Sequence, residues 1–239
     1  MCASSDDPKK TSIESRLAEW LSTQGYPLEM RVAATFRNAG FTAFLSETYE
    51  DPETGTFREI DIVASEDADV AEATVRVTFV VECKSSREHP WILFFPTEDN
   101  RLHPSAQMLY TPASKLGRQL LIRARHRVSA APPFADARRI AYGMTQAFTS
   151  AKDVTYTAAQ GVAKAVWSRI KSSNEEAAEY PFLDVFVPVI VIEGRLFHCY
   201  TSIPNLKRCW KKQTRGKCFG VHAFAEKEIS SFMLLPQTT

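Results

Sequence analysis

Leu28, Val32 and Phe36 recur four residues apart, the spacing that lays apolar side chains along one face of a helix. The pattern predicts a helix here, opened by the break at Gly25-Tyr26-Pro27 and closed by Gly40. Before it, Ile13, Leu17 and Trp20-Leu21 make a second stripe behind a helix start at Thr11 or Ser12, and residues 1–10 are polar and expected to be disordered. After Gly40 the period changes to two. Residues 41–49 alternate apolar and polar, Asp51-Pro52-Glu53-Thr54-Gly55 predicts a turn, and residues 57–64 a returning strand. The acidic residues from Glu66 to Glu72 predict a solvated connection to a third strand over 74–84. There Val75, Val77, Phe79 and Val81 share one face, and Thr78, Val80, Glu82 and Lys84 the other. Trp91 to Phe95 predicts a short strand followed by an ordered loop. Helical composition dominates from Ser105 to about residue 127 and from Pro133 to about residue 171, with breaks at Thr111-Pro112 and Ala131-Pro132-Pro133. Residues 182–200 predict two strands around a turn at Glu193-Gly194-Arg195. This order of elements predicts an α/β fold.

With 239 residues, 44% of them hydrophobic, the chain is long enough for one sizeable core, so residues 11–239 are expected to form a single domain with a helical elaboration over about 100–171. A net charge of +1 gives no global basic bias, so nucleic-acid binding would have to rest on local patches. Cysteines at 2, 83, 199, 209 and 218 make no close C-x-x-C pair, which argues against a disulfide framework and for a reducing compartment. The first ten residues lack the apolar core of a signal peptide, and no apolar run approaches the roughly 20 residues of a membrane span. The expectation is a cytoplasmic protein with no membrane association.

The chemistry concentrates in Val80-Val81-Glu82-Cys83-Lys84. Alternation puts the Glu82 carboxylate and the Lys84 amine on one face and Cys83 on the other. Asp61, in Glu59-Ile60-Asp61-Ile62, is a second carboxylate set among branched apolar residues, and Glu29 lies beside the apolar stripe of the predicted helix. Mg²⁺ takes oxygen ligands and retains waters, so Asp61, Glu82 and the backbone carbonyl of Cys83 make a sufficient protein ligand set. Lys84 would orient and help deprotonate a water or offset phosphate charge, and Glu29 would bind a second ion or orient a water.

Glu29, then Asp61, then Glu82-Cys83-Lys84, in this order, resemble the PD-(D/E)xK nuclease superfamily, with Ile60 standing where the name-giving proline would be. The resemblance implies a restriction-endonuclease-like fold, a central mixed β-sheet flanked by helices. It implies a Mg²⁺-dependent endonuclease or exonuclease, Mn²⁺ serving as a substitute, that hydrolyses DNA phosphodiester bonds to leave a 5′-phosphate. In that family the two acids equivalent to Asp61 and Glu82 hold the metal, the lysine assists the attacking water, and the helix glutamate contributes to the metal site. Some branches add a glutamine from a later helix, for which Gln146 and Gln160 are the candidates. A homodimer is compatible with this reading.

The densest basic run carries Lys207, Arg208, Trp210, Lys211, Lys212, Arg215 and Lys217, a composition suited to gripping phosphates and stacking a base on Trp210. Arg118, Arg123, Arg125, Arg127, Arg138 and Arg139 form a second positive set suited to backbone contacts. His198, Cys199, Cys209, Cys218 and His222 do not have zinc-finger spacing. The rival readings are a catalytically inactive nuclease-like module that binds nucleic acid or another subunit, and an interaction domain in which the acids and Lys84 form a polar network.

Overall fold

The computed structural model describes residues 12–70, 73–96, 101–128, 138–149, 154–176, 182–200, 210–212 and 222–225. Ser12 caps the first helix, α1 (Ile13–Leu21), by accepting from the Ser15 nitrogen at 3.2 Å. The stripe predicted on α1 exists but has no core to face, because Ile13, Leu17, Trp20 and Leu21 are all exposed. α2 (Tyr26–Asn38) follows, with Pro27 in its first turn, and buries Leu28, Val32, Ala33 and Phe36. Gly40, at φ 94°, supplies the left-handed turn into the sheet.

β1 (Thr42–Glu50) and β2 (Phe57–Val70) form the predicted antiparallel hairpin. β2 runs six residues beyond the predicted end, so Glu66, Asp67 and Asp69 are strand and not connection. Arg76 on β3 (Ala73–Phe95) grips Asp67 through Nε and Nη2 at 2.8 and 3.0 Å, and Thr74 donates to Asp69. Cross-strand pairing of this kind lets charged residues occupy an exposed strand face. β3 also takes in the predicted separate strand at 91–95.

The central feature is the parallel pairing of β3 with β7 (Phe182–Tyr200), from Thr74↔Phe182 to Phe95↔Tyr200. β7 is one strand where the sequence pattern predicts two. Gly194 makes no turn; it lies at a register shift opposite Ser86, where a Cβ would fall 2.3 Å from the Ser86 carbonyl oxygen. The glycine is there for close approach of two backbones.

The crossover between β3 and β7 departs from the uniform helical composition predicted for it. It holds β4 (Arg101–Leu102), α3 (Pro104–Tyr110), α4 (Lys115–Arg123), α5 (Arg125–Val128), β5 (Arg138–Arg139), β6 (Gly143–Gln146) and α6 (Val154–Glu176). β4 and β5 make a two-stranded ribbon, and β6 joins the main sheet antiparallel to Trp91–Phe94. β8 (Trp210–Lys212) and β9 (His222–Ala225) pair with β7. The result is an α/β fold, a mixed sheet in the order β1-β2-β3-β7-β8 flanked by helices.

Two hydrophobic layers sandwich the sheet. On one face α2 packs Leu28, Val32 and Phe36 against Ile62, Phe79, Val81 and Cys83. On the other α6 packs Ala158, Val162, Ala165 and Val166 against Ile60, Val63, Val80, Trp91 and Ile190. No helix among the described residues is long and apolar enough to cross a membrane.

Candidate active site

Ile60 packs on the α6 side of the sheet and Ile62 on the α2 side, although residues two apart on a regular strand share a face. The strand therefore changes face at Asp61. Its partner does the same: Leu45 belongs to the α2 layer and Tyr49 to the α6 layer, and between them Ser46 adopts φ 54°. Ser46 and Asp61 stand across from each other between the pairs Leu45↔Ile62 and Glu47↔Ile60.

The ladder between β2 and β3 ends at Ile62↔Val81, immediately before this switch. Beyond it the Asp61 side chain takes over, and its Oδ2 accepts a hydrogen bond from the Cys83 backbone nitrogen at 2.6 Å. N–H and C=O of one residue lie on the same edge of an extended strand, so the Cys83 carbonyl is also directed to the edge where β2 has left.

Glu82 and Lys84 share a face as alternation predicts, with Lys84 Nζ donating to Glu82 Oε1 at 2.6 Å. Cys83 points the other way, into the α2 layer, where burial raises its thiol pKa. Glu82 lies under α6: a Cβ on Gly161 would be 4.0 Å from its Oε2. Glu29 approaches from α2, so the two glutamates come from opposite layers.

Electrostatics ties the acids together. Burial, then the charges of Asp61, Glu59 and Glu82, raise the pKa of Glu29. Burial and then Asp61 raise that of Glu82, against the pull of Lys84. Asp61 is raised by burial and held back by the Cys83 N–H. Burial works to lower the Lys84 pKa, but Glu82 and Asp61 outweigh it and keep the amine protonated. The cluster is therefore acid-rich, with Lys84 as its internal counter-charge. Among the described residues, no three His, Cys, Asp or Glu side chains are gathered tightly enough to cage a metal ion.

Several neighbours carry no sequence signal strong enough to single them out. Glu59 shares strand parity with Asp61 and adds negative charge to Glu29, Asp61 and Glu82. Glu193 accepts from Arg31 Nη2 at 2.7 Å and from Ser85 Oγ at 2.9 Å. It thereby ties α2, two residues past Glu29, to β3 one residue past Lys84. Only the position of Ser85 directly after the motif hinted at this.

The other predicted residues separate. Gln160 is on α6 beside Gly161 and donates to the Tyr156 hydroxyl at 2.8 Å, whereas Gln146 is on strand β6 and not on a helix. Lys207, Arg208, Arg215 and Lys217 lie outside the described residues, as do the side chains of Trp210, Lys211 and Lys212, whose backbone forms β8. Arg118 is a brace, donating to the Met108 and Leu109 carbonyls, while Arg123, Arg125 and Arg127 are exposed. His198 is buried with its ring 4.7 Å from that of Phe95, as a core residue would be. No family model, curated protein or solved structure matches the chain.

Proposed function

We propose that the chain is a Mg²⁺-dependent nuclease that hydrolyses DNA phosphodiester bonds, on a restriction-endonuclease-like fold of the PD-(D/E)xK type. The observation that carries this reading is the Asp61 carboxylate seated at the Cys83 backbone where β2 leaves β3, next to the Glu82–Lys84 pair. The order of α2, the β1–β2 hairpin, β3, a crossover ending in α6, and parallel β7 supports the fold assignment.

The donor set fits a hard divalent cation. Its oxygens are carboxylates and a strand-edge carbonyl, and burial first, then the Asp61 charge, raises the pKa of Glu29 and of Glu82. Asp61, Glu82 and the Cys83 carbonyl would hold Mg²⁺, with Glu29 contributing from α2 and Mn²⁺ as an alternative ion. Bound there, the ion supplies Lewis acidity to the scissile phosphate and lowers the pKa of a water. Lys84 provides the mobile positive charge: held by Glu82, it can turn toward the phosphate or orient the attacking water. The pair is half-buried under α6, which limits the screening of these interactions by bulk water.

The test is cleavage of plasmid, linear duplex, single-stranded DNA and RNA with Mg²⁺ and with EDTA. Asp61→Ala and Lys84→Ala should each abolish Mg²⁺-dependent cleavage while the circular dichroism spectrum is kept. Unchanged cleavage by both purified variants overturns the assignment. A second reading, a nuclease-like module that binds nucleic acid without cutting it, draws on the engagement of Glu82 by Lys84, which occupies one of the oxygens a metal would need. Metal-independent DNA binding with no cleavage of any substrate would favour it.

A further inference from the structure

Beyond Gly161, which lies over Glu82, α6 continues to Glu176 and roofs a cavity of about 540 Å³, a size usual for small-ligand sites. Alternation dictates the floor. Residues of β2, β3 and β7 with the parity of Val63, Val80 and Phe186 face α6, which sets Ser65, Thr78 and Phe186 in one row across the strands and Asp67, Arg76 and Asp184 in the next. Arg169, Ser172, Ser173 and Glu176 of α6 line the cavity from above, and Phe44 and Glu47 of β1 line it from the side. The acid-and-lysine centre is elsewhere on the same helix: Arg169 lies about 12 Å of helix past Gly161.

The charges around this cavity do not balance. Glu47, Glu50, Asp184 and Glu176 line it against two cations, Arg76 and Arg169, and both cations are already engaged. Arg169 meets Glu47 at 3.2 Å, and Arg76 grips Asp67, a further carboxylate, at 2.8 and 3.0 Å. Asp184 is the deepest of the acids at 5% exposure. Its Oδ2 accepts from the Ser173 hydroxyl, but Oδ1 has Arg76 Nε only at 4.0 Å, beyond hydrogen-bond reach. A buried carboxylate oxygen in that position is costly until a donor reaches it. The roof offers acceptors and not donors: Ser173 spends its hydrogen on Asp184, and Ser172 spends its own on the Ser168 carbonyl at 3.3 Å. The walls are aromatic. Phe182 already carries the Arg76 guanidinium 4.0 Å above its ring centre, and Phe44 presents a second ring that is 53% exposed.

Excess carboxylate, hydroxyl oxygens left as acceptors and aromatic faces are complementary to an ammonium ion on an aliphatic stem. The ammonium donates to the acids and hydroxyls, the methylenes lie on the rings, and a cleft with low-dielectric walls concentrates the field of its unmatched charges. An anion would meet the opposite at every point. We propose that the cavity under the last turns of α6 binds a linear aliphatic polyamine, with one ammonium group at Asp184 and the carbon chain against Phe44. The site stands apart from Glu82 and Lys84, and it does not depend on the nuclease reading.

The experiment is isothermal titration of the full chain, in EDTA at fixed salt, with spermidine, with octanediol, which keeps the carbon chain and lacks the charge, and with adenosine monophosphate, which reverses the charge. Spermidine should bind, and neither of the others should match it. Phe44→Ala should weaken spermidine binding by about 2- to 30-fold, the range for loss of one cation–π contact. Glu176→Gln, an exposed position where folding is not at stake, should weaken it by about 2- to 5-fold. Asp184→Asn keeps an oxygen for Ser173 and should weaken it by about 10- to 100-fold. Phe44→Ala and Glu176→Gln decide the matter even where Asp184→Asn does not fold. Asp61→Asn should leave the affinity unchanged. The proposal is overturned by spermidine that does not bind, by an affinity unaltered in both Phe44→Ala and Glu176→Gln, or by octanediol or adenosine monophosphate binding as tightly. A loss in Asp61→Asn as large as that in Phe44→Ala would move the amine to the acid-and-lysine centre and overturn it as well.

Discussion

Asp61 faces Ser46 across the β1–β2 hairpin at the point where both strands exchange the α2 layer for the α6 layer. The exchange frees the Asp61 side chain from either core and swings it to the edge, where it meets the Cys83 nitrogen. Ser46 absorbs the twist at φ 54°, a conformation that glycine tolerates and β-branched residues resist. Ser46→Gly should therefore leave Tm level or raise it, while Ser46→Val should destabilise by about 1–3 kcal/mol and reduce cleavage through displacement of Asp61. Urea denaturation of the two variants checks the order.

Asp61→Asn and Glu82→Gln should each lower Mg²⁺-dependent cleavage by at least about a hundredfold, and Asp61→Asn should stabilise the metal-free fold by on the order of 1 kcal/mol. After burial, the Asp61 charge is the largest influence raising the pKa of Glu29 and of Glu82, so removing it relieves both, and the amide oxygen that replaces the Asp61 carboxylate can still accept from Cys83. Thermal unfolding in EDTA measures the gain. The same melts with Mg²⁺ added should show a rise in Tm for the parent chain and little or none for either variant, because only the native ligand set stabilises by binding.

Asp51 governs stability in acid. It is fully buried at the hairpin turn, where Oδ1 accepts from the Glu53 and Thr54 nitrogens and Oδ2 meets Lys164 of α6 at 3.1 Å and Arg58 at 2.7 Å. The Glu53 backbone hydrogen bond first, with Lys164 and Thr54 helping, holds its pKa down to about 2 from 3.8. A depressed carboxylate stabilises the fold above its unfolded pKa and loses that contribution as pH falls toward the folded value. Asp51→Asn should thus lower Tm at pH 7, and the gap to the parent should close between about pH 4 and pH 2. A constant gap across that range would disprove the linkage.

Gly194→Ala places a methyl 2.3 Å from the Ser86 carbonyl oxygen, which neither backbone can avoid without parting β3 from β7. A loss of about 2 kcal/mol or more is expected. Because Ser86 is two residues beyond Lys84, the surviving folded fraction should also cut more slowly per active molecule. Gly161→Ala, at an ordinary 4.0 Å from Glu82, is the control and should be stable and active.

How far the sequence could be read depended on whether each signal was local. The stripe of Leu28, Val32 and Phe36, the Ser12 cap and the alternation from Val75 to Lys84 are properties of single elements, and the structure carries all three. The long β7 is hidden from a local reading because Gly194 looks the same in a turn as in a close backbone approach. β6 leaves no local signal, because four residues, Gly143 to Gln146, have no pattern of their own and are strand only through pairing with the stretch from Trp91 to Phe94. The charges after Glu66 suggest a connection because their partner, Arg76, lies on another strand. At the site, residue types and spacing singled out Glu82, Lys84, Asp61 and Glu29. The Asp61 bond to Cys83 and the Glu193 bridge between Arg31 and Ser85 depend on where strands diverge, which no local pattern encodes.

Both lips of the gap beside the site, Ile62 of β2 and Gln146 of β6, are fastened to the same continuous strand, β3. The spacing of these two anchors is therefore set by the stretch of β3 that carries Glu82 and Lys84, with the register shift after Ser86 included.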